Sequence, residues 1–329
     1  MDPIRTMRDM MARAANCISI VLGFVGIAHA QSYPSNSIRL IVPYNPGGVT
    51  DAVARIIAQK LSASWSVAVP VENRAGASGM IGANIVAKAR PDGYALAFVA
   101  SGHVLHPSLF REVPFDPLND FTPVVLVVRS ANVICVHPSV PVKSIKELVE
   151  LARVRPGALS FGSAGIGNLS HLAGEMFKMA GKIDIVHIPY KGAGPAMSDL
   201  LGGQIPMAVS SLLGAMPFVK AGKIHALAVT STKRQAVFPD VPTMVASGFP
   251  DFEAVEWWAV VGPAGFPKDI LAKLNAEINR IVKRPDVQEN LTMLGIEDIG
   301  GTPEQASAFM KSEMEKWTRV VKAVGLKPE

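Results

Sequence analysis

Short apolar runs alternate with amphipathic stretches along almost the whole chain. In the amphipathic stretches, apolar residues recur at the i, i+3, i+4 spacing of a helix, for example behind Thr50, which we predict as an N-cap. The apolar runs predict strands at residues 38–42, 67–72, 95–100, 124–128, 133–137, 159–161, 185–188, 207–210, 226–230 and 257–261. This alternation favours an α/β fold in which helices cover both faces of mainly parallel, doubly wound sheets.

The first 30 residues have the order of a secretory signal peptide. Three arginines precede an apolar stretch at 17–27, and a small-x-small cleavage site ends at Ala30. We therefore expect cleavage after Ala30 and a periplasmic location for the mature protein. The sequence after Gln31 contains no run of 18 or more apolar residues, so we expect that the mature chain does not cross a membrane.

The charge balance limits the partners that we expect. The formal net charge is +5, and it becomes +4 when three arginines and two aspartates leave with the first 30 residues. The basic residues form no clustered stripe, so we expect no nucleic-acid partner, whereas a mild positive surplus suits an anionic ligand. Cleavage also removes Cys17, and we interpret the remaining Cys135 as a buried core residue without an intramolecular disulfide.

Glycine and small polar residues concentrate in loops that fall into two separate blocks of the sequence. The first block contains residues 44–51 (YNPGGVTD) and 101–106 (SGHVLH), and the second contains 162–171 (GSAGIGNLSH), 190–195 (YKGAGP) and 210–214 (SSLLG). In open α/β sheets the ligand crevice lies beyond the carboxyl ends of the strands, where such loops occur. Two blocks therefore predict two lobes that face a shared cleft.

Two of these loops are suited to bind an anion. In YNPGGVTD, the paired glycines let a ligand approach the backbone, and the helix that follows offers unpaired N–H groups at the positive end of its dipole. In GSAGIGNLSH, Asn168 or Ser170 can cap the next helix, and His171 lies in its first turn. The alternative for each loop is a plain strand–turn–helix connection that binds no ligand.

Signals of catalysis and metal binding are weak. The GSAG motif at 162–165 lacks the glycine two residues before serine that a nucleophile elbow requires. His103 and His106 have the spacing of a metal pair, but no cluster of further ligands accompanies them. We therefore predict no catalytic residue, no metal and no cofactor. A secreted α/β hydrolase that uses Ser163 and His171 remains the alternative.

Taken together, the motifs resemble those of the Bug, or tripartite tricarboxylate transporter receptor, family of extracytoplasmic solute-binding proteins. The resemblance runs through essentially the whole mature chain. It is carried by residues 42–55 (VPYNPGGVTDAVAR), 71–79 (VENRAGASG), 91–94 (PDGY), 115–121 (FDPLNDF), 161–177 (FGSAGIGNLSHLAGEMF), 187–204 (HIPYKGAGPAMSDLLGGQ), 219–230 (VKAGKIHALAVT), 238–243 (FPDVPT) and 262–267 (GPAGFP).

The resemblance implies a two-lobed, Venus-flytrap fold of the type II periplasmic-binding-protein class. We expect one lobe to combine residues 31–130 with 248–329 and the other to comprise 131–247, with the ligand cleft between them. The implied function is capture of a small carboxylate (a dicarboxylate, tricarboxylate, amino acid or aromatic acid) by a monomer that is not an enzyme. The implied partners are integral membrane transporter subunits, and a sensor without a transport role is the alternative.

The resemblance also implies which residues hold the carboxylate. It points to a ligand bound between the two turns, largely through backbone amides, hydroxyl groups and waters. The expected ligand-binding residues are Tyr44, Gly48, Thr50, Asp51, Ser101, Ser163, Gly165, Asn168, His171, Gly192 and Ser210.

Overall fold

The computed structural model describes residues 33–328, which alternate between strands and helices as the sequence predicts. The strands are β1 (Arg39–Val42), β2 (Val71–Asn73), β3 (Ala95–Ala100), β4 (Phe121–Val136), β5 (Ser160–Ser163), β6 (Val186–Pro189), β7 (Met207–Ser211), β8 (His225–Val229), β9 (Val255–Pro263) and β10 (Glu297–Asp298). The helices are α1 (Val49–Trp65), α2 (Met80–Ala87), α3 (His106–Leu109), α4 (Ile145–Val154), α5 (Leu169–Gly181), α6 (Ala193–Leu201), α7 (Leu212–Lys220), α8 (Lys268–Val282), α9 (Pro285–Met293) and α10 (Pro303–Ala323). Short 3₁₀ helices span Ala77–Gly79 and Ser101–Leu105.

Two predictions concern the signal peptide and the crossing of a membrane. The signal peptide and its cleavage after Ala30 lie outside the described residues, so they stay predictions. Between residues 33 and 328, none of the helices combines the length and the apolar character that a bilayer crossing requires.

The strands form a sheet in the order β2-β1-β3-β9-β4-β7-β5-β6, and β8 and β10 also pair with β4. The flanks are parallel, because β1 pairs in parallel with β2 and β3, and β5 does so with β6 and β7. The central strands β9 and β4 run antiparallel to each other and to their neighbours β3 and β7. The predicted α/β class is thus confirmed, with an antiparallel centre between parallel flanks.

Strand β4 corrects one prediction. The sequence separates 124–128 from 133–137, but the structure joins them in a single 16-residue strand. The polar residues between them belong to the strand because each has a partner: Ser130 lies opposite Glu256 in β9, and Asn132 lies opposite Ser211 in β7. Strand β4 pairs with β9 as far as Ala131 and with β7 from Asn132 onward, so it connects the two parallel flanks.

The apolar side chains pack into separate clusters on these flanks. One cluster contains Ile41 from β1 and Trp257 from β9, and another contains Phe161 from β5 and Phe177 from α5. Helix α10 takes part in both clusters, since its first half contributes Ala306 and Met310 to the former and its second half contributes Trp317, Val320 and Val321 to the latter. The expected lobe boundaries near 130 and 248 stay a prediction.

Candidate functional site

The first glycine turn connects β1 to α1. Helix α1 begins at Val49 behind Gly48, whose extended backbone (φ −83°, ψ 174°) provides no side-chain cap. The prediction that Thr50 is the N-cap is therefore wrong, because the backbone turns into the helix before Thr50 is reached. The uncapped first turn leaves N–H groups for another acceptor.

Asp51 holds this turn in place from inside the helix. Its Oδ2 accepts hydrogen bonds from the Gly47 backbone N–H and the Arg55 Nε, both at 3.0 Å, and its Oδ1 accepts one from Asn73 at 2.9 Å. The hydrogen bond from Arg55 is the main cause that lowers the pKa of Asp51 to about 2, so the carboxylate is ionised at neutral pH. Its oxygens are engaged within the protein.

Thr50 and Tyr44 lie on the open side of the same turn. The Trp258 indole N–H donates to the Thr50 hydroxyl oxygen at 2.8 Å, which leaves the Thr50 hydroxyl hydrogen to donate elsewhere. Burial raises the pKa of Tyr44, so its phenol is protonated and is a hydrogen-bond donor.

The second glycine turn connects β5 to α5, and neutral side chains support it. Asn168 is the N-cap of α5, and its Oδ1 accepts from the Ser170 backbone N–H at 3.0 Å, as the sequence predicts. The Ser170 hydroxyl accepts from the Ala164 backbone N–H at 3.0 Å and so closes the turn. Gly165 has a φ of +131°, and a Cβ at this position would lie 3.1 Å from the Tyr190 carbonyl oxygen. Only glycine fits there without strain.

Ser163 and His171 are joined through a third residue, His187, which no motif singled out as a site residue. The Ser163 hydroxyl lies 2.6 Å from His187 Nε2, and the His171 ring stacks on the His187 ring at a centroid distance of 3.8 Å. His171 Nδ1 accepts from the Gly167 backbone N–H at 3.1 Å. Burial is the main cause that lowers the pKa of both histidines to about 4, so they are neutral at pH 7.

Ser163 and His171, the pair that the alternative hydrolase would use, are both buried away from solvent. Ser163 is fully buried and its near neighbour is His187 rather than His171. Ser163 and His171 instead accept hydrogen bonds from backbone N–H groups of the turn, and His187 contacts the Ser163 hydroxyl. Gly192, the residue before α6, also supports this turn, because its backbone N–H donates to the Ala164 carbonyl oxygen at 3.2 Å.

The two turns face a common space that consists of two adjoining cavities. The main cavity has a volume of about 510 Å³, and the side cavity has a volume of about 200 Å³. Five residues line both: Ala164, Asn168, Leu169, Glu256 and Trp258. Of the predicted ligand-binding residues, the main cavity brings together Tyr44, Thr50, Ser101, Gly165 and Asn168, and the side cavity joins Asn168 to Ser210.

Ser210 is distinctive within the side cavity. Its side chain is buried, and its hydroxyl oxygen has no hydrogen-bond partner within residues 33–328. A buried hydroxyl without a partner is costly, so native proteins usually satisfy it with water or a ligand. Its position on the cavity wall means that such a partner has to come from inside the cavity.

Sequence reasoning missed Glu256 and the role of Trp258. The pair at 257–258 reads as a buried strand end, but alternation along β9 points Trp257 into the core and Trp258 into the cavities. Glu256 lines both cavities, and its Oε1 accepts from the Ser101 hydroxyl at 2.6 Å. Burial raises the pKa of Glu256 by more than the hydrogen bonds from Ser101 lower it, so the pKa lies above its usual value. The available signal was a single acidic residue within the otherwise apolar run VEWWAVV.

The chain is similar to proteins of one family over most of its length. The family described as "Tripartite tricarboxylate transporter family receptor" matches residues 53–326. Protein BugT of Bordetella pertussis is 36% identical over 322 residues, which cover 96% of this chain and 99% of BugT. An R. palustris protein solved with adipate is 34% identical (TM-score 0.76), and the match covers 90% of this chain and 100% of that one. MatC from Rhodopseudomonas palustris with bound malate is 31% identical (TM-score 0.70), covering 88% of this chain and 100% of MatC.

These similarities extend over nearly all of the described residues and agree with the two-lobed α/β fold that the motifs imply. The chain belongs to the tripartite tricarboxylate transporter receptor family of periplasmic solute-binding proteins.

Proposed function

We propose that this protein captures a small carboxylate between its two glycine turns and delivers it to a membrane transporter. The observation that carries the proposal is that both turns, each followed by a helix N-terminus, face the same cavity. Helix N-termini bind carboxylates through backbone N–H groups and the helix dipole. Relatives of similar length have been solved with adipate and with malate, which supports a carboxylate ligand.

The predicted ligand-binding residues then divide by role. We propose that the residues on the cavity walls contact the ligand, namely Tyr44, Thr50, Ser101, Gly165, Asn168 and Ser210. The remaining ones hold the turns in position through their internal hydrogen bonds and backbone conformations, namely Gly48, Asp51, Ser163, His171 and Gly192.

Capture requires that the two turns approach each other around the ligand. We propose lobes made of residues 31–130 with 248–329 and of 131–247, which close when the ligand contacts both turns. The change of partner along β4, from β9 to β7 between Ala131 and Asn132, supports a boundary there. A ligand that contacts both turns binds the closed form better and so shifts the equilibrium toward it.

The proposed location is the periplasm, after removal of residues 1–30. Amino-terminal sequencing of the protein recovered from the periplasm tests this, with Gln31 expected as the first residue. A first residue other than Gln31 contradicts the proposed cleavage site.

Loss of acid uptake after deletion of the gene supports delivery to a transporter, whereas unchanged uptake with altered gene expression favours a sensor.

Thermal unfolding of residues 31–329 against a library of small carboxylates tests the binding function. The protein is first unfolded and refolded to remove any ligand that persists through purification. We expect a saturable rise in the melting temperature, with the acid recovered intact, because a ligand that binds only the folded state stabilises it. If no acid raises the melting temperature, or if the acid is consumed, the proposed function is wrong.

The Ser210→Ala variant tests whether the ligand reaches the side cavity. Because the Ser210 hydroxyl has no partner in the described residues, its removal should leave the melting temperature of the free protein nearly unchanged. We expect ligand affinity to fall about fivefold to tenfold, the value of one hydrogen bond. Calorimetric titration measures the affinity, and Ser312→Ala on the exposed face of α10 is the matched control. Equal affinities of the two variants contradict a ligand contact at Ser210.

A further inference from the structure

Glu256 occupies the point where the two cavities meet. It lies on β9 beside Trp258, and both residues line the main cavity and the side cavity. One carboxylate oxygen of Glu256 accepts the Ser101 hydroxyl hydrogen at 2.6 Å. Ser101 is the first residue of the short 3₁₀ helix Ser101–Leu105.

The described residues around Glu256 offer it no basic partner. Neither cavity is lined by a lysine or arginine from residues 33–328. The titratable groups that line the cavities with Glu256 are Tyr44, a protonated phenol, and His106, whose Nε2 contacts the Ser78 carbonyl oxygen at 3.0 Å and whose pKa burial lowers. From α10, Glu313 acts on Glu256 as a like charge.

This charge distribution restricts the ligand. A carboxylate of the ligand placed next to Glu256 brings two like charges together in a partly desolvated space, where the cost of an unpaired charge is high. A dicarboxylate that places its second carboxylate beside Glu256 fits only if Glu256 takes up a proton. A protonated nitrogen next to Glu256 removes that cost, because it forms a charge-assisted hydrogen bond.

We propose that Glu256 selects ligands that carry a protonated nitrogen together with a carboxylate, such as amino acids and other amino carboxylates, over dicarboxylates of the same length. The nitrogen contacts Glu256, and the carboxylate reaches the helix N-termini and hydroxyls of the two turns. Ser210 supports a second polar contact in the side cavity, because its buried hydroxyl has no partner of its own in the described residues. This inference depends on the proposed function and specifies the substrate class of the same cleft.

Calorimetric titration of refolded residues 31–329 at pH 7.5 tests the inference with matched pairs of acids. The pairs are 4-aminobutyrate and succinate, 5-aminopentanoate and glutarate, and 6-aminohexanoate and adipate, together with α-amino acids and the same acids without the amino group. We expect the amino member of the best-binding pair to bind about tenfold tighter or more, as for a charge-assisted hydrogen bond. Glu256→Gln should abolish this preference, and Glu150→Gln on the exposed face of α4 should keep it.

The possible outcomes separate the inference from the proposed function. If a dicarboxylate binds tighter than its amino partner, or if its affinity falls with rising pH as Glu256 loses a proton, the inference is wrong and the proposed function stands. If no acid of either kind binds, the proposed function fails as well. If Glu256→Gln fails to fold, Glu256→Asp keeps the charge one methylene further back. It should weaken amino carboxylates while still preferring them, and an inverted preference overturns the inference.

Discussion

The two glycine turns that face the cavities have similar backbones but opposite kinds of support. The first turn, residues 43–51, is held by the ionised Asp51, which contacts the half-exposed Arg55 and Asn73 at the end of β2. The second turn, residues 163–171, is held by neutral groups: Ser170, Asn168 and the stacked pair His171 and His187. Both turns lead into a helix, and residues of both line the main cavity.

The location of each turn explains the difference. In the first turn, Asp51 pairs with Arg55, whose side chain is half-exposed, so water solvates and screens the pair. The second lies between β5 and α5, where Ser163 and His171 are buried and an unpaired charge is costly. A ligand anion therefore meets a turn held by a carboxylate on one side and a turn held by neutral groups on the other.

The largest expected effect comes from removing the ionic support of the first turn. Asp51→Ala leaves the Gly47 N–H and one N–H of the Asn73 amide without an acceptor, so we expect a loss of about 2–3 kcal/mol in the free energy of unfolding. Asp269→Ala is the matched control, because Asp269 lies in the first turn of α8 but is exposed. Urea denaturation at pH 7 measures both variants. Similar losses in the two variants mean that Asp51 acts only through the helix dipole.

The second expected effect is a dependence on pH that the second turn has and the first turn lacks. His171 and His187 have a pKa of about 4 in the folded protein and about 6.5 when unfolded, so the unfolded state binds more protons between these values. Their stabilisation is complete above pH 6.5 and is progressively lost as the pH falls toward 4. Asp51 contributes nothing in this window, because its pKa falls from 3.8 to about 2 on folding.

Denaturation at pH 7, 5.5 and 4.5 measures this effect as a difference. The wild type is compared with a variant that carries His171→Gln and His187→Gln. The buried His103 and His106 also have lowered pKa values, but they contribute equally to both proteins and cancel. The gap between the two proteins should narrow as the pH falls, and a constant gap contradicts the neutral state of the histidine pair.

The smallest expected effect concerns the cap of α5. Asn168→Ala removes the side chain that accepts the Ser170 N–H, and such a loss costs about 1 kcal/mol of stability. Ser144→Ala removes the corresponding cap of α4, at a distance along the chain from both turns, and should cost a similar amount. Only Asn168→Ala should also weaken ligand binding, because Asn168 lines both cavities. Equal affinities of the two variants contradict this contact.

The outcome of the site prediction differs between turn residues and strand residues. Tyr44, Thr50, Gly165 and Asn168, which line the main cavity, could be predicted as candidates because glycine-rich turns before helices are visible as short local motifs. Glu256 was missed because its significance depends on Ser101, which is 155 positions away in the sequence. The same holds for His187, whose contacts with Ser163 and His171 form only when β5 and β6 pair.

The sequence alone determined the α/β class, the alternation of strands and helices, the two glycine turns and the family resemblance, because each depends on residues that are close together along the chain. The tertiary structure decided that 121–136 is one strand, that Asp51 and the two histidines support the turns from behind, and that Glu256 lies between the cavities. These features arise from side chains that the sheet order brings together. Their burial, their pKa values and their partners therefore exist only in the folded protein.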